Sequence, residues 1–277
     1  MAEVKRASAQ SSSNAKKAKG SNGFWVNLGI VVLMIAIAHI LFYGVVGSAD
    51  NFLDEEKTSP ANWMGNLYQG GFVIPLLMSM LLILIAFVIE RAIVIIKAKG
   101  KTNGAEFVRK VQYHLANKNV DAAIKECDVQ SGSVGNVMKA GLLKYKEMIN
   151  NTELTTDQKV LSINKEIEEA AALEIPMLEK NLVFLSTITS ASTLLGLIGT
   201  VIGMIRAFAG MAQAGAPDAT ALALGISEAL YNTALGISGS FLAMIFYNLY
   251  TTIIEGVTYS IDESGFTLTQ SFAANYN

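Results

Sequence analysis

The chain has 277 residues, 52% hydrophobic and only 16% charged, with a formal net charge of −2. A mean hydropathy of +0.40 is too apolar for an ordinary soluble domain, and so small a net charge gives no reason to expect a nucleic-acid partner. One cysteine, Cys127, excludes an internal disulfide, and no Cys/His cluster has metal-ligand spacing, so no cofactor or metal is expected.

Residues 1–23 are a basic tail rich in Ser, Ala and Lys (Lys5, Arg6, Lys16, Lys17, Lys19). They cannot bury a core, and disorder is expected. Residues 24–46 are apolar and uncharged and read as a retained span. The run is longer than the roughly 7–15 residues of a signal-peptide core, although Gly44–Asp50 (GVVGSAD) offers a small-residue cleavage site. His39 within it reads as packed or interfacial. Residues 47–71 form an acidic loop, with Asp50, Asp54, Glu55 and Glu56 against Lys57 and with Trp63 and Tyr68 as interfacial anchors. A second span covers 72–97. Pro75 suits its first turn, where a missing N–H costs little. Glu90 and Arg91 stand near its end, and Arg91 is expected to snorkel.

Residues 98–180 are the sizeable polar portion. Phe107, Val108, Val111 and Leu115 repeat at helical spacing, as do Val137, Gly141 and Leu142. A long amphipathic helix starts near Thr155 or Thr156 and leads straight into the third span, with Pro176 expected to bend it. Glu166, Glu168, Glu169 and Glu174 make an acidic, solvated stripe. The segment is too short on core for an enzyme domain, and no nucleophile–base pair or phosphate loop is visible. Third and fourth spans cover 181–212 and 219–255, joined by a Gly/Pro-containing link at 213–218, with a polar tail at 256–277. Basic segments at 1–23 and after Lys97 place both termini in the cytoplasm and the 47–71 and 213–218 segments outside. The fold class is an all-α membrane protein of four spans, its long transmembrane helices extended into the cytoplasm.

The last two spans each carry a small, polar face. On the third, Thr189, Ser192, Thr193, Gly199, Thr200, Gly203, Ala207 and Gly210 fall within roughly 60° of Gly196 at helical spacing, while Leu194, Leu197, Val201, Ile205 and Phe208 lie opposite. On the fourth, Gly225, Glu228, Asn232, Thr233, Gly236, Gly239, Ser240, Ala243 and Tyr247 share a broad arc. Thr200 lies about 18 Å below the link and Thr233 about 21 Å. Both are near the middle of a hydrocarbon core about 30 Å thick. Two readings stand: small residues that permit close helix packing, and a hydroxyl-lined conduit. Glu228 likewise has two: a proton relay, or a protonated group bonded to a neighbouring helix.

Leu194–Phe208 (LLGLIGTVIGMIRAF) and Gly225–Asn248 (GISEALYNTALGISGSFLAMIFYN) resemble the two final spans of the MotA/TolQ/ExbB proton-channel family, most of all its ExbB and TolQ members. The resemblance extends in layout over residues 75–248. It implies a homopentamer around the single spans of two ExbD-like subunits, whose aspartate carries the proton, coupled to a TonB-like periplasmic effector in the bacterial inner membrane. Thr200 and Thr233 match the hydroxyls beside that aspartate, and Glu228 matches the carboxylate nearer the periplasmic end. Gly196, Gly199, Gly203, Gly225, Gly236, Asn232 and Ser240 fall on the packing and pore face. The chain departs from the pattern at Ser192 and Thr193, where the family often has Ala-Pro, and in its additional span at 24–46. A TolQ-like envelope subunit, a flagellar or gliding stator, and, in another class, a passive scaffold remain as alternatives. A solute transporter fits poorly, since no inverted repeat or pair of broken helices is present.

Overall fold

A computed structural model describes residues 20–213 and 219–276. Most of the basic tail expected at 1–23 and of the link expected at 213–218 lies outside the described residues. Among the described residues, regular structure is helical. The α-helices are α1 Gly20–Leu41, α2 Trp63–Tyr68, α3 Val73–Lys99, α4 Gly104–Ala116, α5 Val120–Gln130, α6 Gly132–Ile149, α7 Thr156–Glu179, α8 Leu182–Gln213 and α9 Ala219–Asn275. Four helical stretches, within Gly23–Val46, Val73–Ala116, Thr156–Ala212 and Ala219–Asn275, are long and apolar enough to cross a membrane. The chain divides into two compact units, Met1–Ile83 with Ile198–Leu235 and Leu84–Leu197 with Gly236–Asn277, and the division falls inside α3, α8 and α9.

In the first unit, α1 passes into a π-helical turn, Phe42–Val46. The wider turn leaves carbonyls to be satisfied from elsewhere, and Asn51 Nδ2 donates to Val45 O at 2.7 Å and Val46 O at 2.9 Å. Asn62 caps α2 by accepting from the Met64 and Gly65 amides, and its own amide donates to Asn51 Oδ1 at 2.9 Å. Lys57 adopts a left-handed φ of 59°. Its ammonium donates to Gly47 O at 2.5 Å and sits 5.4 Å from the Tyr68 ring centre. Tyr68 stacks on Phe42 at 5.0 Å. Phe42, Val46 and Ile74 form a core against which Leu67, Met78, Tyr231 and Leu235 pack. The expected acidic loop is therefore a folded segment, closed by its own side-chain hydrogen bonds. Of the two expected anchors, Trp63 is exposed and Tyr68 is part of this core.

In the second unit, asparagines punctuate as their capping chemistry dictates. Asn103 starts α4 and Asn119 starts α5, and a Thr155–Gln158 capping box starts α7. Phe107, Val111, Leu115, Cys127, Leu142, Ile163, Leu268 and Phe272 are buried. Two expectations are corrected here. Arg91 does not snorkel: it is buried, donates to both Glu90 oxygens at 2.6 and 2.5 Å, and donates to Leu178 O at 3.1 Å. It thereby bonds a carbonyl of the last turn of α7, where intrahelical donors run out. The long amphipathic helix does not lead straight into the third span: a break falls at Lys180–Asn181, where Asn181 takes φ 69°, with Pro176 inside α7. Beyond the span expected at 219–255, α9 continues as helix. Tyr250, Ile254, Val257, Ile261, Ser264, Leu268 and Phe272 are buried at spacings of three and four, a helical seam that carries the helix to Asn275.

Burial pushes the Cys127 thiol from 9.0 up to about 12, with the neighbouring Asp128 carboxylate adding to the rise. Folded protein at pH 7.5 is therefore expected to resist a maleimide that labels it fully once denatured. The raised value also means that the stability this group contributes is complete below pH 9.0 and is lost as pH climbs through about 12. Mass spectrometry of adducts before and after denaturation checks the first point.

Candidate functional site

Helices α8 and α9 come together because side-chain bulk is missing where they meet. In the first unit, a Cβ placed on Gly203 would lie 2.7 Å from Ala229 N and 2.8 Å from Gly225 O, and one on Gly225 would lie 2.6 Å from Ala207 Cβ. Gly199 faces Asn232 in the same way. In the second unit, Gly236 faces Ser192 O at 2.7 Å and Gly196 Cα at 2.8 Å, again measured from a hypothetical Cβ. Ser240 Oγ there donates to Thr189 O at 2.6 Å. Gly196, Gly199, Gly203, Gly225 and Gly236 are all buried. Their faces are occupied by contact within one chain, while Leu197, Val201, Ile205, Phe208, Leu230 and Phe241 are exposed.

Two hydroxyls stand at the edge of this seam. Thr200 Oγ1 and Thr233 Oγ1 hydrogen-bond to each other. Both also reach Ala229 O, Thr233 at 3.1 Å and Thr200 at 3.4 Å. Both residues are half-buried. A hydroxyl donates one proton and accepts through two lone pairs. Turned inward, the pair spends its donors on itself and on Ala229 O and offers acceptors to a protonated acid. With one hydroxyl rotated outward, it donates to a carboxylate. The pair can therefore serve either protonation state of an acid brought beside it.

Glu228 sits apart from the threonines, about 140° from Thr233 around α9. Its Oε1 accepts from Arg206 Nη1 at 2.6 Å, with Glu228 buried and Arg206 half-exposed. The guanidinium lies 5.6 Å from the Phe72 ring centre. Gly71 takes a left-handed φ of 75°, and the Glu228 carboxylate and Arg206 guanidinium fill the space any side chain there would need. A cavity of about 320 Å³ opens beside the pair, lined by Lys57, Thr58, Gln69, Arg206, Leu224 and Glu228 among others. Arg206 is the partner that the sequence reading passed over. Counting from the link places it opposite Glu228, as it places Thr200 opposite Thr233.

Asn232, next to Thr233, is fully buried. Its Nδ2 donates to Gly70 O at 3.0 Å, and its Oδ1 has no partner. The Ser192 hydroxyl is likewise buried without a partner. Each such group costs about 1–3 kcal/mol. Among the described residues no group of three or more His, Cys, Asp or Glu could hold a metal ion.

The MotA/TolQ/ExbB proton channel family matches residues 131–263, which contain both threonines, Arg206, Glu228 and Asn232. The chain is 32% identical to the Tol-Pal system protein TolQ of Pseudomonas aeruginosa over 46% of its own length and 55% of that protein. It is 29% identical to TolQ of Haemophilus influenzae over 72% of its length and 89% of that protein. It is 27% identical to the biopolymer transport protein ExbB of Pseudomonas putida over 56% of its length and 48% of that protein. The chain thus spans about half the length of two of these three relatives.

The glycine contacts predict a graded mutational response. Gly203→Ala drives a methyl into the backbone of α9 and is expected to cost about 1–3 kcal/mol. Gly29→Ala, where nothing lies within 4 Å, is expected to be neutral. Thermal midpoints of the two detergent-solubilised variants decide it.

Proposed function

We propose, on the premise that residues 131–263 are a segment of the MotA/TolQ/ExbB proton channel family, that this chain is the proton-path subunit of an inner-membrane motor. In this reading, copies of the chain form a homopentamer. Two copies of an ExbD-like single-span partner stand in its centre and supply the aspartate that is protonated and released. The proton gradient then drives a TonB-like periplasmic effector and, through it, outer-membrane transport. The observation that carries the reading is the Thr200–Thr233 hydroxyl pair, joined across two apolar helices at one depth.

The physical requirement is simple. A charge at the bilayer centre costs about 2.5–3.5 kcal/mol even on lenient scales, so an acid that ionises there needs donors and acceptors at hand. The threonine pair supplies both. Glu228, already held by Arg206, is in this reading a fixed part of the periplasmic end of the path. Placing 47–71 and 213–218 outside and both termini in the cytoplasm follows from the distribution of lysine and arginine.

Relatives named TolQ and ExbB both align with the chain, so a TolQ-like envelope role is the second reading. The two differ in the effector, not in the proton path. Thr200→Val and Thr233→Val are each expected to abolish energised outer-membrane uptake while the complex still assembles, as read by substrate uptake and by co-purification with the partner. Normal uptake in both variants would sink the proposal.

A further inference from the structure

We infer that Asn232 is a positioning residue that ties the segment ahead of α3 to the threonine pair, so that the fold around Gly70–Gly71 controls access to that pair from its own side of the membrane. Three contacts at the level of the threonine pair carry this, joined by a fourth nearer the 213–218 link. The Asn232 amide donates to Gly70 O at 3.0 Å across 162 positions of sequence. The hypothetical Cβ of Gly199 lies 2.5 Å from the Asn232 side chain. Thr200 and Thr233 follow Gly199 and Asn232 directly in sequence and bond to each other. Arg206 and Glu228 fill the space beside Gly71.

The amide orientation is fixed by its surroundings, because turning it over would set Oδ1 against the Gly70 carbonyl. As it stands, Oδ1 is buried and unpartnered. A leucine of similar size would fill the place without leaving an orphaned oxygen. A buried polar group kept at that cost calls for a role, and its one hydrogen bond supplies it. The bond reaches a carbonyl in the tight bend before α3, which the segment 47–71 packs behind with its Lys57 and Tyr68 contacts. Loss of the bond frees the bend. The bend then lifts away from α9, and water reaches the threonine pair from the side on which 47–71 lies.

The inference rests on the proposed function only for what the pair does, since access to the pair is measured without proton conduction. The test uses the full chain with its partner in sealed spheroplasts, carrying Thr200→Cys as a reporter for a membrane-impermeant maleimide. Buried Cys127 stays silent. Adding Asn232→Ala or Asn232→Leu is expected to raise the labelling rate about three- to tenfold, the change expected for loss of one hydrogen bond. Asn232→Leu keeps the branching and heavy-atom count and carries the test if Asn232→Ala fails to assemble. Labelling at the parent rate in Asn232→Leu would overturn the inference, since packing alone would then account for the residue. Uptake lost in Thr200→Val with labelling unchanged here would leave the proposed function standing and this inference refuted; the converse separates them the other way.

Discussion

The arrangement of α8 and α9 depends on the absence of side chains where their backbones meet. Gly203 lies against Gly225 O and Ala229 N, and Gly225 against Ala207. Lipid gives no hydrophobic reward for bringing two apolar helices together, so close packing and the few available hydrogen bonds must hold them. The polar contacts that α8 and α9 share in the first unit are placed by that approach. Thr200 and Thr233 touch because their helices are near enough for two short side chains to meet. Arg206 reaches Glu228 for the same reason. Widening the seam by one methyl would separate the hydroxyls before it separated the longer ion pair.

Charge is handled differently in the two units. In the first, Glu228 is buried and compensated by a single half-exposed guanidinium. In the second, the buried member is Arg91, compensated by a part-exposed Glu90 and by the Leu178 carbonyl. In both, one partner keeps access to the surroundings, which limits the desolvation that a fully buried pair incurs.

Much of this was legible in the sequence, and the misses have physical causes. The spans show because the bilayer demands long apolar runs. The threonine pair shows because helical rise converts residue counts to depth. The same count pairs Arg206 with Glu228, so that contact too is written in the spacing. The extension of α9 was readable too: Tyr250 to Phe272 repeats at threes and fours, but scattered Ser, Thr and Gly obscured it. The burial of Arg91 is not legible, because a basic residue near a span end ordinarily reaches for the interface and the competing Leu178 carbonyl is distant in sequence. The folding of 47–71 could not be read from composition, since it rests on Asn51, Lys57 and Asn62 finding backbone groups distant from them in sequence.

Helix α1 is buried at Ala38, and the turn that follows it at Phe42 and Val46, while Phe24, Trp25, Val26 and Val32 are exposed. Only its final turn and the π turn are held by the fold. Phe42 and Val46 are its fixed points, held by close packing with Ile74. The remaining length is a mast stepped at its foot, its apolar sides at Phe24, Trp25, Val26 and Val32 turned away from the rest of the chain.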